Sequence, residues 1–280
     1  MGKLEKMIIT AAVTGGVTTR KDNPNLPISP DEIANEVYDC WKAGAAIAHI
    51  HAREEDGTPS QRVELYQEIV EKIRKRCDII INLTTTGWGQ KGNEEDRWNH
   101  LVCKPEMATF TPGSMNRKDS VMINSPAFVR KLAEKINENK IKPEIEIFDF
   151  GMIDQALNLA KSGLLRKPLH FQFVLGVPGG IPANAKNFLH LVESIPHDST
   201  WSIAAVGKEQ LPMDLLGIIL GGHIRTGLED NVYFKYRELA TSNAQLVERL
   251  VKYAADLNRE IATPDEARRI LGIGKDSIIK

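Results

Sequence analysis

Two histidines one residue apart, His49-Ile50-His51, carry the strongest chemical signal in the chain. Alternate side chains of an extended strand point to one face, so both imidazoles share a face and can reach one metal ion. A pair so spaced also serves as two hydrogen-bonded core histidines. Its place at the carboxyl end of a short apolar strand, where barrel enzymes build their sites, favours chemistry. A catalytic zinc needs a third protein ligand and an open position. The stretch Gly221 to Asn231 offers carboxylates that would complete a two-histidine, one-carboxylate set. In the same stretch Arg225 supplies a fixed cation and Asp230 a candidate base. These residues also read as a turn and helix start with Asp230 as the cap, and spacing alone leaves both readings open.

Three more segments fall at predicted strand ends. Thr84-Thr85-Thr86-Gly87 offers hydroxyls and backbone N–H groups, either a carboxylate cradle or a polar turn. Glu146 sits between Ile145 and Ile147. Facing inward it is costly unless paired or functional, and facing outward it is ordinary. Gly176-Val177-Pro178-Gly179-Gly180 lets backbone approach a ligand closely, and reads equally as a plain loop. Other candidates carry less. His100, His170, His190 and His197 have no partners in the sequence, and the four tryptophans form no stacking ladder for single-stranded nucleic acid. Arg74-Lys75-Arg76 suits a helix carboxyl end, and no GxSxG elbow occurs.

Strands alternating with helices must position these groups. Strands are expected at 7–12, 45–51, 79–83, 107–111, 144–149, 169–175, 202–206 and 222–225. Ser29-Pro30-Asp31-Glu32 reads as a helix start, with a capping serine, proline in the first turn and acids at the positive end of the dipole. Gly44 closes that helix. Further helices are expected at 61–76, 127–139, 152–162, 185–194, 213–220 and 241–257, and Thr263-Pro264-Asp265-Glu266 starts another. Eight such units predict an α/β fold, a (β/α)8 TIM barrel spanning 1–280 as one catalytic domain. The rival doubly wound sheet carries a glycine-rich turn after its first strand, and Thr14-Gly15-Gly16-Val17-Thr18-Thr19 is not GxGxxG. The polar stretch 87–99 reads as an active-site loop.

Composition narrows the class. With 36 basic and 37 acidic residues in 280, the chain has no global field for nucleic acid. A hydrophobic fraction of 42% with 26% charged residues describes an ordinary globular protein. The three cysteines, Cys40, Cys77 and Cys103, show neither zinc nor disulfide spacing, which fits a reducing cytoplasm. No apolar run reaches the ~18 residues a membrane span requires, and no secretory signal opens the chain.

In order and spacing, several strings resemble one family, the β-keto acid cleavage enzymes. They include Ile9 to Gly15, Pro24-Asn25-Leu26-Pro27, His49-Ile50-His51, Lys104 to Thr109, Gln172 to Gly180, Gly221 to Arg225, Glu229-Asp230-Asn231 and Ser242 to Leu246. The resemblance covers nearly the whole chain. It implies a zinc-dependent barrel, usually a homotetramer, acting as an acyltransferase. Such an enzyme converts a β-keto acid and acetyl-CoA into acetoacetate and a new acyl-CoA, by carbanion attack, CoA transfer and retro-Claisen cleavage. It implies His49, His51 and Glu229 as zinc ligands and Arg225 with Asp230 as the catalytic pair. Thr84 stands where the family's typical member has a substrate-holding serine, and Thr85 follows it in the same segment. Thr109 and Glu146 match further active-site positions. Asp230, beside a guanidinium, is expected to have a lowered pKa. One departure stands out. The typical member pairs a first-loop glutamate with its aminohexanoate substrate's ammonium, whereas this chain has Val17. The expected substrate tail is therefore uncharged, and the amino substrate is the alternative. A zinc hydrolase or a metal-dependent lyase would use the same ligands.

Overall fold

The computed structural model describes residues 5–87 and 93–274. Eight strands close into a parallel barrel: β1 (Ile9–Ala12), β2 (Ile47–Ile50), β3 (Ile80–Leu83), β4 (Met107–Phe110), β5 (Lys142–Ile147), β6 (His170–Leu175), β7 (Thr200–Ala205) and β8 (His223–Thr226). Each pairs with its neighbour in sequence, and β8 pairs with β1 to close the ring. The expected (β/α)8 architecture is therefore present.

Two helices begin where their caps predict, at Pro30 after Ser29 and at Pro264 after Thr263. Helix α1 (Pro30–Ala43) carries a capping box between Ser29 and Glu32, and Gly44 ends it in the left-handed conformation. Helix α2 (Val63–Arg74) follows β2, and a short α3 (Asp96–Asn99) runs into a 3-10 turn over His100–Cys103. Among the described residues, the predicted loop at 87–99 holds one turn of α-helix; residues 88–92 of it lie outside them. Helices α4 (Pro126–Glu138), α5 (Gly151–Lys161), α6 (Ala185–Glu193), α7 (Gln210–Leu220) and α8 (Asn243–Asp256) complete the outer ring. The last helix, α9 (Pro264–Leu271), lays Ala267 and Leu271 against Ile8, Ile47, Ile80 and Met107 at the amino end of the barrel.

The main apolar core lies between strands and helices, with Ile33, Val37, Ile69, Phe128, Phe173 and Leu250 among its buried members. Barrel interiors are commonly filled by layers of branched apolar side chains. Here many of the buried strand side chains are polar: Asn82, Glu144, His170, Gln172, Ser202, His223 and Arg225. Among the described residues no helix is long and apolar enough to cross a membrane.

Candidate active site

At the carboxyl end of the barrel, His49, His51 and Glu229 converge, each offering a ligand atom within 4.8 Å of the others. His49 comes from β2 and His51 follows it. Their rings lie edge to face with centroids 5.1 Å apart, as the alternation of a strand requires. Glu229 sits in the turn after β8, which the ring closure carries beside β1 and so near β2. Its carboxylate oxygens lie 3.6 Å from His49 Nε2 and 3.4 Å from His51 Nε2. Two glycines permit this approach. A Cβ on Gly15, which has a φ of +67°, would lie 2.5 Å from Glu229 Cγ. One on Gly227 would lie 2.1 Å from the Ala12 carbonyl oxygen. The Glu229 N–H in turn donates to that Ala12 carbonyl at 3.2 Å.

Arg225 ties the acids together. Its Nη2 donates to Glu229 Oε1 at 2.7 Å, and Nε and Nη2 donate to the two oxygens of Asp230 at 2.9 and 3.0 Å. Asp230 therefore faces the site and caps no helix; Ser242 caps α8. Burial would raise the Glu229 carboxyl, but Arg225 and the two imidazoles hold it well below the ordinary range. Burial lowers His49 well below its ordinary value, so the imidazole is neutral and able to ligate. For Asp230 the expectation is corrected. Burial, helped by the charge of Glu229, outweighs the guanidinium and pushes it up to about 6.

The donor set fits a zinc ion. It combines two imidazoles with one carboxylate, and Glu229 Oε2 is buried without a hydrogen-bond partner. A cavity of about 470 Å³ opens above it, walled by His49, His51, Arg225, Glu229 and Asp230 on one side. Val17, Phe148, Val174, Val177, Val206 and Val232 supply apolar wall, and Asp22, Arg117 and Lys208 also border it. Arg53 shapes the rim by donating to the carbonyls of Gly15 and Thr18 at 2.7 and 2.8 Å, which pins the loop carrying Val17.

Glu146 points inward to the cavity and accepts from Thr111 Oγ1 at 2.7 Å; burial pushes it up to about 7, against the pull of Arg225. The threonine segment is arranged differently from a simple cradle. Thr84 Oγ1 accepts from the Thr86 N–H at 3.1 Å, and the Thr85 N–H and hydroxyl bond to Thr109 at 2.9 and 2.8 Å. All four are buried, and Thr86 is the one of them bordering the cavity. Val177 and Pro178 of the glycine-rich loop wall it as well. Sequence reasoning missed Glu144. It lies two residues before Glu146 on the same strand, so the spacing that marked one carboxylate could have marked both.

A family model described as beta-keto acid cleavage enzyme matches residues 6–273. The chain belongs to the β-keto acid cleavage enzyme family. Among relatives in this family, a 3-keto-5-aminohexanoate cleavage enzyme from Fusobacterium nucleatum is 45% identical over 97% of this chain and 100% of its own. A 3-oxoadipate:acetyl-CoA acetyltransferase from Cupriavidus necator is 37% identical over 95% of this chain and 94% of its own. The solved apo structure of ObcA shares the fold, with a TM-score of 0.78 at 22% identity. That likeness covers 90% of this chain and 66% of the other.

Proposed function

We propose that this enzyme transfers the acyl group of a β-keto acid to CoA, using acetyl-CoA and releasing acetoacetate, with a zinc ion held by His49, His51 and Glu229. The observation that carries this reading is the Arg225–Asp230 pair set directly against the His49, His51 and Glu229 cluster. Bound there, zinc supplies Lewis acidity to the keto acid oxygens. Asp230 takes a proton from the carbon between the carboxylate and the ketone, and Arg225 fixes both oxygens of that base. The carbanion attacks the acetyl-CoA carbonyl and the thiolate leaves. The thiolate then adds to the ketone carbonyl. Rupture of the bond to the acetoacetate carbon yields the new thioester, with the electron pair on acetoacetate protonated from Asp230. Glu146, buried at the cavity wall with a raised pKa, is suited to exchanging protons within it. Thr84, Thr85 and Thr109 form the hydrogen-bonded frame that holds Thr86 at the wall, and we assign this segment to the substrate carboxylate.

Val17 supports an uncharged tail: it borders the cavity at 54% exposure among four other valines and Phe148. A second reading, an ammonium-bearing substrate, is favoured by Asp22. Its carboxylate borders the same cavity and is held below the ordinary range by the Thr19 hydroxyl and N–H. The name of the Fusobacterium nucleatum relative points the same way. A panel of β-keto acids with apolar and amino tails, assayed with acetyl-CoA for acetoacetate release, separates them. Higher kcat/KM for apolar tails is expected. A preference for amino tails that Asp22→Asn abolishes would establish the second reading, and turnover without acetyl-CoA would indicate a hydrolase or lyase. We read the chain as one catalytic domain of a cytoplasmic homotetramer. Three free cysteines support the compartment, and the exposed Val121 and Ile123 support a contact face.

A further inference from the structure

His49 and Asn82 are register partners on β2 and β3, and both side chains are buried. Asn82 Nδ2 donates to Glu144 Oε2 at 2.7 Å across the barrel. That bond turns the carboxamide oxygen away from Glu144. It leaves Asn82 Oδ1 buried with no hydrogen bond formed, and His49 Nδ1 is buried in the same condition. One is an acceptor. The other is a donor in the tautomer that leaves Nε2 free toward Glu229. Glu144 is anchored in turn from its far side. With the Gln172 amide oriented so that its nitrogen faces Glu144, it donates to Oε1 at 3.0 Å and to Ser202 Oγ at 2.9 Å, while its oxygen accepts from the Ala204 N–H at 3.3 Å. A run of hydrogen bonds therefore leads from the β7 backbone through Gln172 and Glu144 to Asn82, beside the His49 ring.

We propose that Asn82 is a positioning residue: its carboxamide oxygen accepts from His49 Nδ1–H and locks the ring with Nε2 aimed at the cluster, while Glu144 and Gln172 lock Asn82. Partners that orient a ligating histidine commonly change metal affinity by 10–100-fold when removed. The inference rests on the His49, His51 and Glu229 metal reading, so its test separates the two. Metal affinity is measured by chelator competition with Zn(II), and ligand geometry by the visible spectrum with Co(II). If wild-type protein binds no metal, or His49→Ala binds as well as wild type, the metal reading itself fails. Given wild-type binding, Asn82→Leu should weaken zinc by 10–100-fold and alter the Co(II) spectrum, with circular dichroism unchanged. Asn82→Asp combined with Glu144→Gln, which keeps an acceptor toward His49 and an uncharged donor behind it, should recover affinity to within a few-fold. Asn82→Leu with wild-type affinity and spectrum would reduce Asn82 to filler. Should Asn82→Leu not fold, 15N NMR of the metal-free wild-type ring decides: a proton on Nδ1 supports the lock, and a proton on Nε2 overturns it.

Discussion

At the scale of single residues, the site is defined by how burial and charge compete over each carboxyl group. Asp230 and Glu229 share one guanidinium, yet move in opposite directions: Glu229 also faces two imidazoles, while Asp230 is buried beside the Glu229 charge. A base near neutrality is the result, suited to proton transfer. Asp230→Asn should therefore lower acetoacetate formation by about 10²–10⁴-fold, the usual worth of a general base. Its metal content, measured by elemental analysis, should stay at the wild-type level, because Asp230 stands outside the cluster. Glu144 gives a second prediction, on stability. Burial pushes it up to about 7 from an ordinary 4.5. Below about 4.5 both folded and unfolded chains hold the proton. As pH rises through about 7 the folded state must bury an anion, and stability is lost. Glu144→Gln, uncharged throughout, should gain up to ~3 kcal/mol on metal-free wild type between pH 5 and 8. Urea denaturation at several pH values checks this, and a pH-independent difference would contradict it.

At the scale of elements, turns bring the site together. The β8 turn reaches β1 only because Gly227 has no side chain against the Ala12 carbonyl. Gly227→Ala should cost about 1–3 kcal/mol and weaken metal binding, since Glu229 rides on that turn. Gly163→Ala is the control: its φ of +78° is also left-handed, but a Cβ there meets nothing within 4 Å. It should cost only ~1 kcal/mol and leave metal affinity unchanged. Thermal unfolding with a chelator titration distinguishes the two. Much of this arrangement could be read from sequence. The histidine alternation, the Ser29–Glu32 cap and Gly44 are local patterns, and the structure holds them as expected. The choice between Glu229 and Asp230 was not local. It depends on β8 lying beside β1, a closure that spacing does not encode. The polar lining was missed for another reason: barrel strands are expected to be apolar inside, so Glu146 alone was singled out, and Glu144 and Gln172 were passed over. The stretch after β3 lacks helical periodicity, and among the described residues it holds a single α-helical turn and a 3-10 turn.

At the scale of the whole molecule, the cluster joins distant parts of the chain. His49 lies on β2, His51 just after it and Glu229 after β8, and β1 lies between those strands in the ring. A metal ion bound there would bridge the seam at which the barrel closes, so its binding energy would add directly to global stability. Ligand linkage gives ~2.7 kcal/mol when free metal is 100 times its dissociation constant. For a chain of this length that corresponds to a rise in Tm of about 5 °C. Chelation should remove the rise and zinc should restore it, with acetoacetate formation following the same course. Glu229→Ala severs one side of the seam and removes a buried carboxylate from Arg225, so its Tm should no longer respond to zinc or chelator. A response that persists in Glu229→Ala would place the stabilising metal elsewhere on the barrel.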